Sequence, residues 1–423
     1  MHNLGLMGIV ASLALLGGCG SDAPTTDDTG ATGTTTGGDR PTDTLVSSTS
    51  GEPETESNAV SSSSSSGSGS SSGTETGMET ETDSDTDAVD SSSGEPPPSV
   101  CPDQPDDLSV VWRIDDLSRN RGEAVSVAEG VVVWSASGFP TDSRVRAHDL
   151  DGVELWFSDI SASPGEGSLR RQDVVAGSPA VFGGTSLFGP SAMIRAFDQA
   201  GQIVFQDNAV AGLFDAGGVA IGSDGTILLA GSDEDLQLRT YLDDGSEIDA
   251  SFYDHGASEF VSNAVSDPDG GYLLSAHTNG GQGPLAVRLD DNGAVEWVGV
   301  GQPVGLETAS GIAPDGVGGA WLAIAGEGVG RLAHFDANGG PLPSIPSSFP
   351  LQQVVVDGDG RLGLVGRRFQ DEVIVVERRT SDGDLLAETT IPGNWGLDLA
   401  TDDACDLYVV GSDDNGAFLA KLD

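Results

Sequence analysis

Residues 101–423 predict an all-β fold in which seven units of four short strands close into a ring. The first observation is a repeat. RAHDLDGVELW (146–156), RAFDQAGQIVF (195–205), RTYLDDGSEID (239–249), VRLDDNGAVEW (287–297), AHFDANGGPLP (333–343) and ERRTSDGDLLA (377–387) are copies of one element. Their turn glycines, at 152, 201, 245, 293, 339 and 383, are spaced 44 to 49 residues apart. The second observation is a recurring strand, acidic-Gly turn and strand, seen in VAIGSDGTILLAGS (219–232), AVSDPDGGYLLSAH (264–277), GIAPDGVGGAWLAIAG (311–326), VVVDGDGRLGLVG (354–366) and LATDDACDLYVVG (399–411). The third lies at the chain ends. SVVWRIDD (109–116) is an orphan strand patterned like the fourth strands of other units, such as AVEWVGV (294–300), whereas the last unit stops after three. A period near 45 residues with four strands per unit is the signature of a β-propeller, here seven-bladed, with the N-terminal strand closing the last blade. Closure removes the unpaired strand edges that would otherwise invite aggregation.

The chain begins with an uncharged apolar run, Leu4 to Gly18. It is too short to span a hydrocarbon core of ~30 Å as a helix, which needs about 20 residues, and it fits the apolar region of a signal peptide over 1–18. Leu16-Gly17-Gly18-Cys19 resembles the bacterial lipobox, an aliphatic residue and two small ones before the cysteine that is acylated. The resemblance implies that Cys19 carries the lipid and becomes the mature N-terminus. One departure is that no Lys or Arg precedes the apolar run. Gly20 follows the cysteine, which by the enteric sorting rule favours the outer over the inner membrane. The expectation is therefore an exported chain, lipid-anchored to a bacterial cell envelope and touching membrane only through Cys19.

Residues 19–100 form a Ser/Thr/Gly/Asp/Glu-rich segment. From Ser21 onward it holds 16 acidic residues and one basic, Arg40, and includes SSSSSSGSGSSSG (61–73) and ETETDSDTD (79–87). Such a composition cannot bury enough apolar surface to offset its conformational entropy, so the expectation is a disordered acidic tether. Some 80 flexible residues have a typical reach on the order of 50 Å.

Within each repeat the strands are lettered A to D from the ring axis outward. In one unit they fall at about 219–224, 226–232, 236–243 and 246–252. Seven A–B–C triplets lie near 124–151, 172–199, 218–244, 262–291, 309–337, 351–381 and 395–423. Acidic-Gly turns joining A to B and C to D resemble NHL-like and related bacterial propeller repeats. That resemblance implies a fold and no ligand. Cys101 lies eight residues before the closing strand and Cys405 in the A–B turn of the last blade. Those two places share one face of the ring, a crossing of roughly 10–15 Å at ~4.8 Å per strand, which the intervening residues can cover at ~3.3 Å each. An oxidising compartment preserves such a bond, so a Cys101–Cys405 disulfide is expected.

Residues 101–423 carry 51 acidic and 17 basic residues. Nucleic acid and anionic lipid surfaces both select positive charge, so neither is an expected partner. The histidines, His2, His148, His255, His277 and His334, show no metal-ligand spacing, and no GxSxG or GxxxxGK[ST] motif occurs. The paired carboxylates Asp267 and Asp269, and Asp357 and Asp359, admit two readings. Alternating Asp can supply some of the 6–8 oxygens calcium takes, and Asp-Gly is also what tight turns require. Calcium is the one cofactor these turns leave open.

Propellers bind at the ends of the central channel, where the strand alignment places Asn263, Gln353 and Asp398. Propeller lactonases, similar in fold, hold a metal with such residue types, but no motif carries over. The six tryptophans, Trp112, Trp134, Trp156, Trp297, Trp321 and Trp395, read as packing between blades. The expected function is a monomeric, non-catalytic module that binds or scaffolds a protein or glycan at the envelope. The alternative is an extracytoplasmic hydrolase or lyase with a metal at the channel mouth.

Overall fold

A computed structural model describes residues 101, 108–138, 142–161, 169–186, 192–256, 258–278, 283–302 and 307–423. The apolar leader, Cys19 and the acidic segment to residue 100 lie outside the described residues.

The described chain forms seven antiparallel four-stranded sheets and no helix. Six sheets are consecutive meanders. The seventh pairs Val110–Asp116 with Gly416–Leu422, outside Leu407–Asp413 and Trp395–Thr401, so the N-terminal strand is the outermost strand of the last blade. The A strands are Arg121–Ala128 in blade 1, Leu169–Val175 in blade 2, Asp215–Ile221 in blade 3, Glu259–Ser266 in blade 4, Thr308–Pro314 in blade 5, Leu351–Val356 in blade 6 and Trp395–Thr401 in blade 7.

The sequence patterns follow from what each strand faces. B strands such as Ile227–Asp233 (ILLAGSD) are buried almost throughout, because a blade covers them on either side. D strands such as Glu247–Tyr253 are largely exposed, since they form the outer rim. Seven apolar clusters fill the seven junctions between consecutive blades. The cluster between blades 7 and 1 joins Tyr408, Val410 and Leu419 to Val125, Val132 and Trp134, so the junction made by the two chain ends is packed like the others.

The regular spacing of the C–D turn glycines has a packing cause as well as a turn cause. A D-strand side chain of each preceding blade lies over the glycine of the next: Trp112 over Gly152, Trp156 over Gly201, Phe205 over Gly245, Trp297 over Gly339 and Ile345 over Gly383. A Cβ built on Gly201 would lie 2.7 Å from the Trp156 ring, and its φ is +75°. Gly293 is the exception, with only Thr240 near. Trp156 also stacks on Phe197 of the following blade with centroids 5.5 Å apart, and Trp297 packs tilted against Phe335 of its following blade at 6.4 Å. Trp395 departs from the expected packing role: it opens the A strand of blade 7 and is 44% exposed.

Cys101 and Cys405 are bonded, with Cα atoms 5.5 Å apart across 304 residues of sequence. Both are buried.

Candidate functional site

Every A strand carries a register shift in its first half. In blades 4, 6 and 7 the residue just past the shift is Asn263, Gln353 and Asp398, each buried against the channel. In blade 2 the residue just past the shift is Arg171; Asp173, two residues further on, takes the belt place by its contacts, and the sequence reading missed it. Ala124, Gly218 and Gly311 fill it in blades 1, 3 and 5. The Gly311 position leaves room for a neighbour: a Cβ there would sit 1.9 Å from Gln353 Oε1.

These side chains form a belt that ties blades together. Asp398 Oδ2 accepts the Val125 N–H of blade 1 at 2.7 Å. Its Oδ1 accepts the Leu399 N–H at 2.9 Å and Gln353 Nε2 of blade 6 at 2.8 Å. Asp173 repeats the pattern, accepting Val174 N–H through Oδ1 and Val219 N–H of blade 3 through Oδ2, each at 2.9 Å. Gln353 Oε1 accepts the Val354 N–H at 3.0 Å. Asn263 Oδ1 is buried and has no hydrogen-bond partner.

Burial pushes the Asp398 carboxyl up to about 6, against the pull of these three donors. Burial raises Asp173 well above the usual carboxylate range, and the Asp398 charge adds to it. Desolvation dominates because an ion removed from water loses more than neutral N–H groups restore.

The belt divides two cavities. Toward the A–B turns lies one of ≈ 350 Å³, lined by the four belt side chains and by aliphatic residues including Val127, Val175, Ile221, Val265 and Val356. Toward the opposite face lies a polar mouth of ≈ 400 Å³, lined by Arg121, Glu123, Gln172, Ser262, His277 and Gln352 among others. Burial raises the Glu123 carboxyl, while Arg121 and a hydrogen bond from Ser137 Oγ pull it down. His277 Nδ1 lies 3.4 Å from Ser262 Oγ, and its ring stacks on Phe260. Beside this mouth the Arg121 and Arg367 guanidinium carbons lie 5.6 and 4.8 Å from the Trp395 ring centroid. Arg367 also lies 4.6 Å from the Phe369 ring, which is 52% exposed. No motif marks this cluster, because its members come from blades 1, 6 and 7.

The acidic turns use their oxygens on the backbone. Asp267 Oδ1 accepts the Asp269 N–H at 3.0 Å, and Asp267 Oδ2 lies 3.2 Å from Arg288. Asp357 Oδ1 accepts the N–H groups of Asp359 and Arg361 at 3.0 and 2.9 Å. Asp359 receives the Cys101 N–H at 3.3 Å and pairs with Arg361 at 3.0 Å. The same N–H contacts to the second and fourth residues onward recur at Asp315, Asp336 and Asp402. This is Asx-turn chemistry.

No family model matches the sequence, and no curated protein matches it. Solved structures do match the fold. A streptogramin B lyase structure matches with a TM-score of 0.56 at 11% identity, covering 75% of this chain and 98% of that one. The WD40 domain of Neurospora crassa Pan2 matches with a TM-score of 0.54 at 10% identity, covering 75% and 96%. The WD40 propeller of Doa1 matches with a TM-score of 0.52 at 15% identity, covering 75% and 97%. A lyase and two WD40 domains thus share this architecture. At such identities the likeness extends to the fold alone: the chain is a seven-bladed β-propeller.

Proposed function

We propose that the chain is a cell-envelope lipoprotein anchored through Cys19, with a propeller that binds a protein or glycan partner at the mouth beside Trp395. The observation that supports this reading best is the Arg121–Trp395–Arg367–Phe369 cluster. Exposed aromatic rings and arginines are enriched where proteins bind partners, and here they gather on a domain whose charge is otherwise strongly negative. This mouth lies at the ends of the A strands opposite the A–B turns. Cys405 sits in an A–B turn and bonds Cys101, so the chain joins the ring at the other face.

The test is crosslinking in living cells of the tagged full-length protein and of three variants, Trp395→Ala, Cys19→Ser and Phe252→Ala. Phe252 is 70% exposed on the rim of blade 3 and serves as the control. A stoichiometric partner lost with Trp395→Ala and with Cys19→Ser, and kept with Phe252→Ala, supports the reading. A partner indifferent to Trp395 refutes the mouth as its site. The second reading, a hydrolase or lyase, rests on His277 and Glu123 lining the same mouth. It requires a turnover that His277→Ala abolishes.

A further inference from the structure

Arg367 stands apart from the other cations of this domain. Among the described side chains, every other Arg or Lys holds a carboxylate, a side-chain amide oxygen or a backbone carbonyl. Arg367 holds none, although residues 101–423 carry 51 acidic residues against 17 basic. Its Nε is buried without a partner, and its two terminal nitrogens reach solvent with no hydrogen bond or ion pair to any described residue. Carboxylates nearby are committed to other arginines: Asp371 and Glu388 pair with Arg368 at 3.0 and 3.4 Å, and Glu123 pairs with Arg121 at 3.4 Å. On its strand Arg367 shares a face with Val365, which packs against blade 7. The guanidinium is thereby carried to 4.8 Å from the Trp395 ring centroid and 4.6 Å from that of Phe369. Two ring contacts hold the planar group in place, so less rotamer freedom is left to lose when a ligand arrives. Such a fixed, weakly hydrated fork of donors matches the two oxygens of a carboxylate.

We propose that Arg367 seats the carboxylate of an acidic sugar, with the neutral remainder of the glycan in the adjoining mouth. This deepens the reading of that mouth as a binding site and rests on it. Trp395 links the two parts, because the Arg121 guanidinium lies 5.6 Å from the same ring and also lines the mouth. The mouth offers the hydroxyls of Ser262 and Thr308 and the amide of Gln352, and the last two make no hydrogen bond to the described residues. Such groups suit sugar hydroxyls better than the apolar side chains of a peptide. Charge narrows the ligand further. At physiological salt, screening acts over about 8 Å, so a single carboxylate among neutral hydroxyls feels chiefly Arg367 and Arg121. A run of anionic groups would extend beyond them and meet the excess of Asp and Glu.

The test is calorimetric titration of the full-length protein at pH 7 and physiological salt with the methyl glycosides of glucuronic and galacturonic acid. The neutral methyl glucoside and galactoside, sodium acetate and an N-acetylated dipeptide with a free C-terminus are the comparison probes. An acidic sugar binds saturably, and its neutral counterpart, acetate and the dipeptide each bind about tenfold more weakly or worse. Arg367→Gln weakens the acidic sugar by roughly tenfold or more, the loss of a charge-assisted pair. Arg367→Lys keeps the charge without the fork and falls between the two; thermal melts show that each variant folds. No saturable binding of either acidic sugar, or binding unchanged in both folded variants, overturns the proposal. Acetate as tight as the sugar, or the dipeptide tighter, overturns the glycan assignment. The crosslinking experiment fails separately from this one. A cellular partner that depends on Trp395 while both sugars fail removes this proposal alone; sugars that bind through Arg367 while the partner ignores Trp395 remove the partner reading alone.

Discussion

Asp398→Asn separates the two roles of the belt, because the substitution removes a buried charge and breaks a hydrogen-bond set at once. In the folded protein the Asp398 carboxyl is raised to about 6 by burial, roughly two units above an unfolded aspartate. A raised carboxyl pKa contributes stability in the protonated form, below about pH 4, and that contribution is lost as pH rises from about 4 to 6. At pH 8 the ionised group therefore weakens the fold by roughly 3 kcal/mol relative to pH 4. Asparagine carries no such charge, but its amide nitrogen must replace one carboxylate oxygen. Either the Val125 N–H, or the Leu399 N–H with Gln353 Nε2, then faces a donor. That mismatch costs about 1–3 kcal/mol at any pH. The expected outcome is a variant less stable than the parent by about 1–3 kcal/mol at pH 4, and between equal to it and about 2 kcal/mol more stable at pH 8. Urea melts at the two pH values read the difference directly. Asp173 titrates beside it and loses a neighbouring charge in the variant, so its own pKa falls and steepens the convergence. An equal penalty at pH 4 and pH 8 would refute the buried-charge reasoning.

Cys405→Ser opens a loop of 304 residues and is expected to lower stability by about 2–5 kcal/mol, read as a lower urea midpoint that reducing agent reproduces in the parent. Gly201→Ala drives a Cβ into Trp156 at a positive φ and should destabilise by about 1–3 kcal/mol. Gly225→Ala, at φ +85° with nothing within 4 Å of the new Cβ, should lose about 1 kcal/mol or less, and thermal melts that rank the two the other way would sink the packing account of the turn glycines. EDTA followed by millimolar calcium should leave the melting temperature unchanged if the Asp267 and Asp357 turns are held by their backbone contacts alone; a calcium-dependent rise would assign those turns a metal.

The sheet architecture was legible because strand, turn and period are local properties. Asp-Gly turns announce themselves in the sequence, and the orphan strand ahead of blade 1 matched the strand missing from blade 7. The disulfide was legible for the same reason, since the ring geometry fixed which two positions share a face. Part of the belt was readable too, because Asn263, Gln353 and Asp398 each stand four residues before the aspartate of an Asp-marked turn. Asp173 escaped because blade 2 has no such turn; Gly177-Ser178-Pro179 stands there instead. The Trp395 cluster could not be read at all. Its partners, Arg121, Arg367 and Phe369, meet only when the ring brings blade 1 beside blade 7, and no spacing in the chain encodes that.

The Cys101–Cys405 bond also decides how a pulling force would travel through the molecule. Load applied to residues 1–100 reaches the ring at Cys101 and passes through sulfur into blade 7. The closing strand, Val110–Asp116, lies beyond that point and carries none of it. Without the bond the same pull would peel that strand from Gly416–Leu422 one hydrogen bond at a time, the weakest way to load a sheet. The ring would then lose its clasp before any blade unfolded. With the bond, a pull on the N-terminal residues meets a covalent link first, and the clasp stays shut.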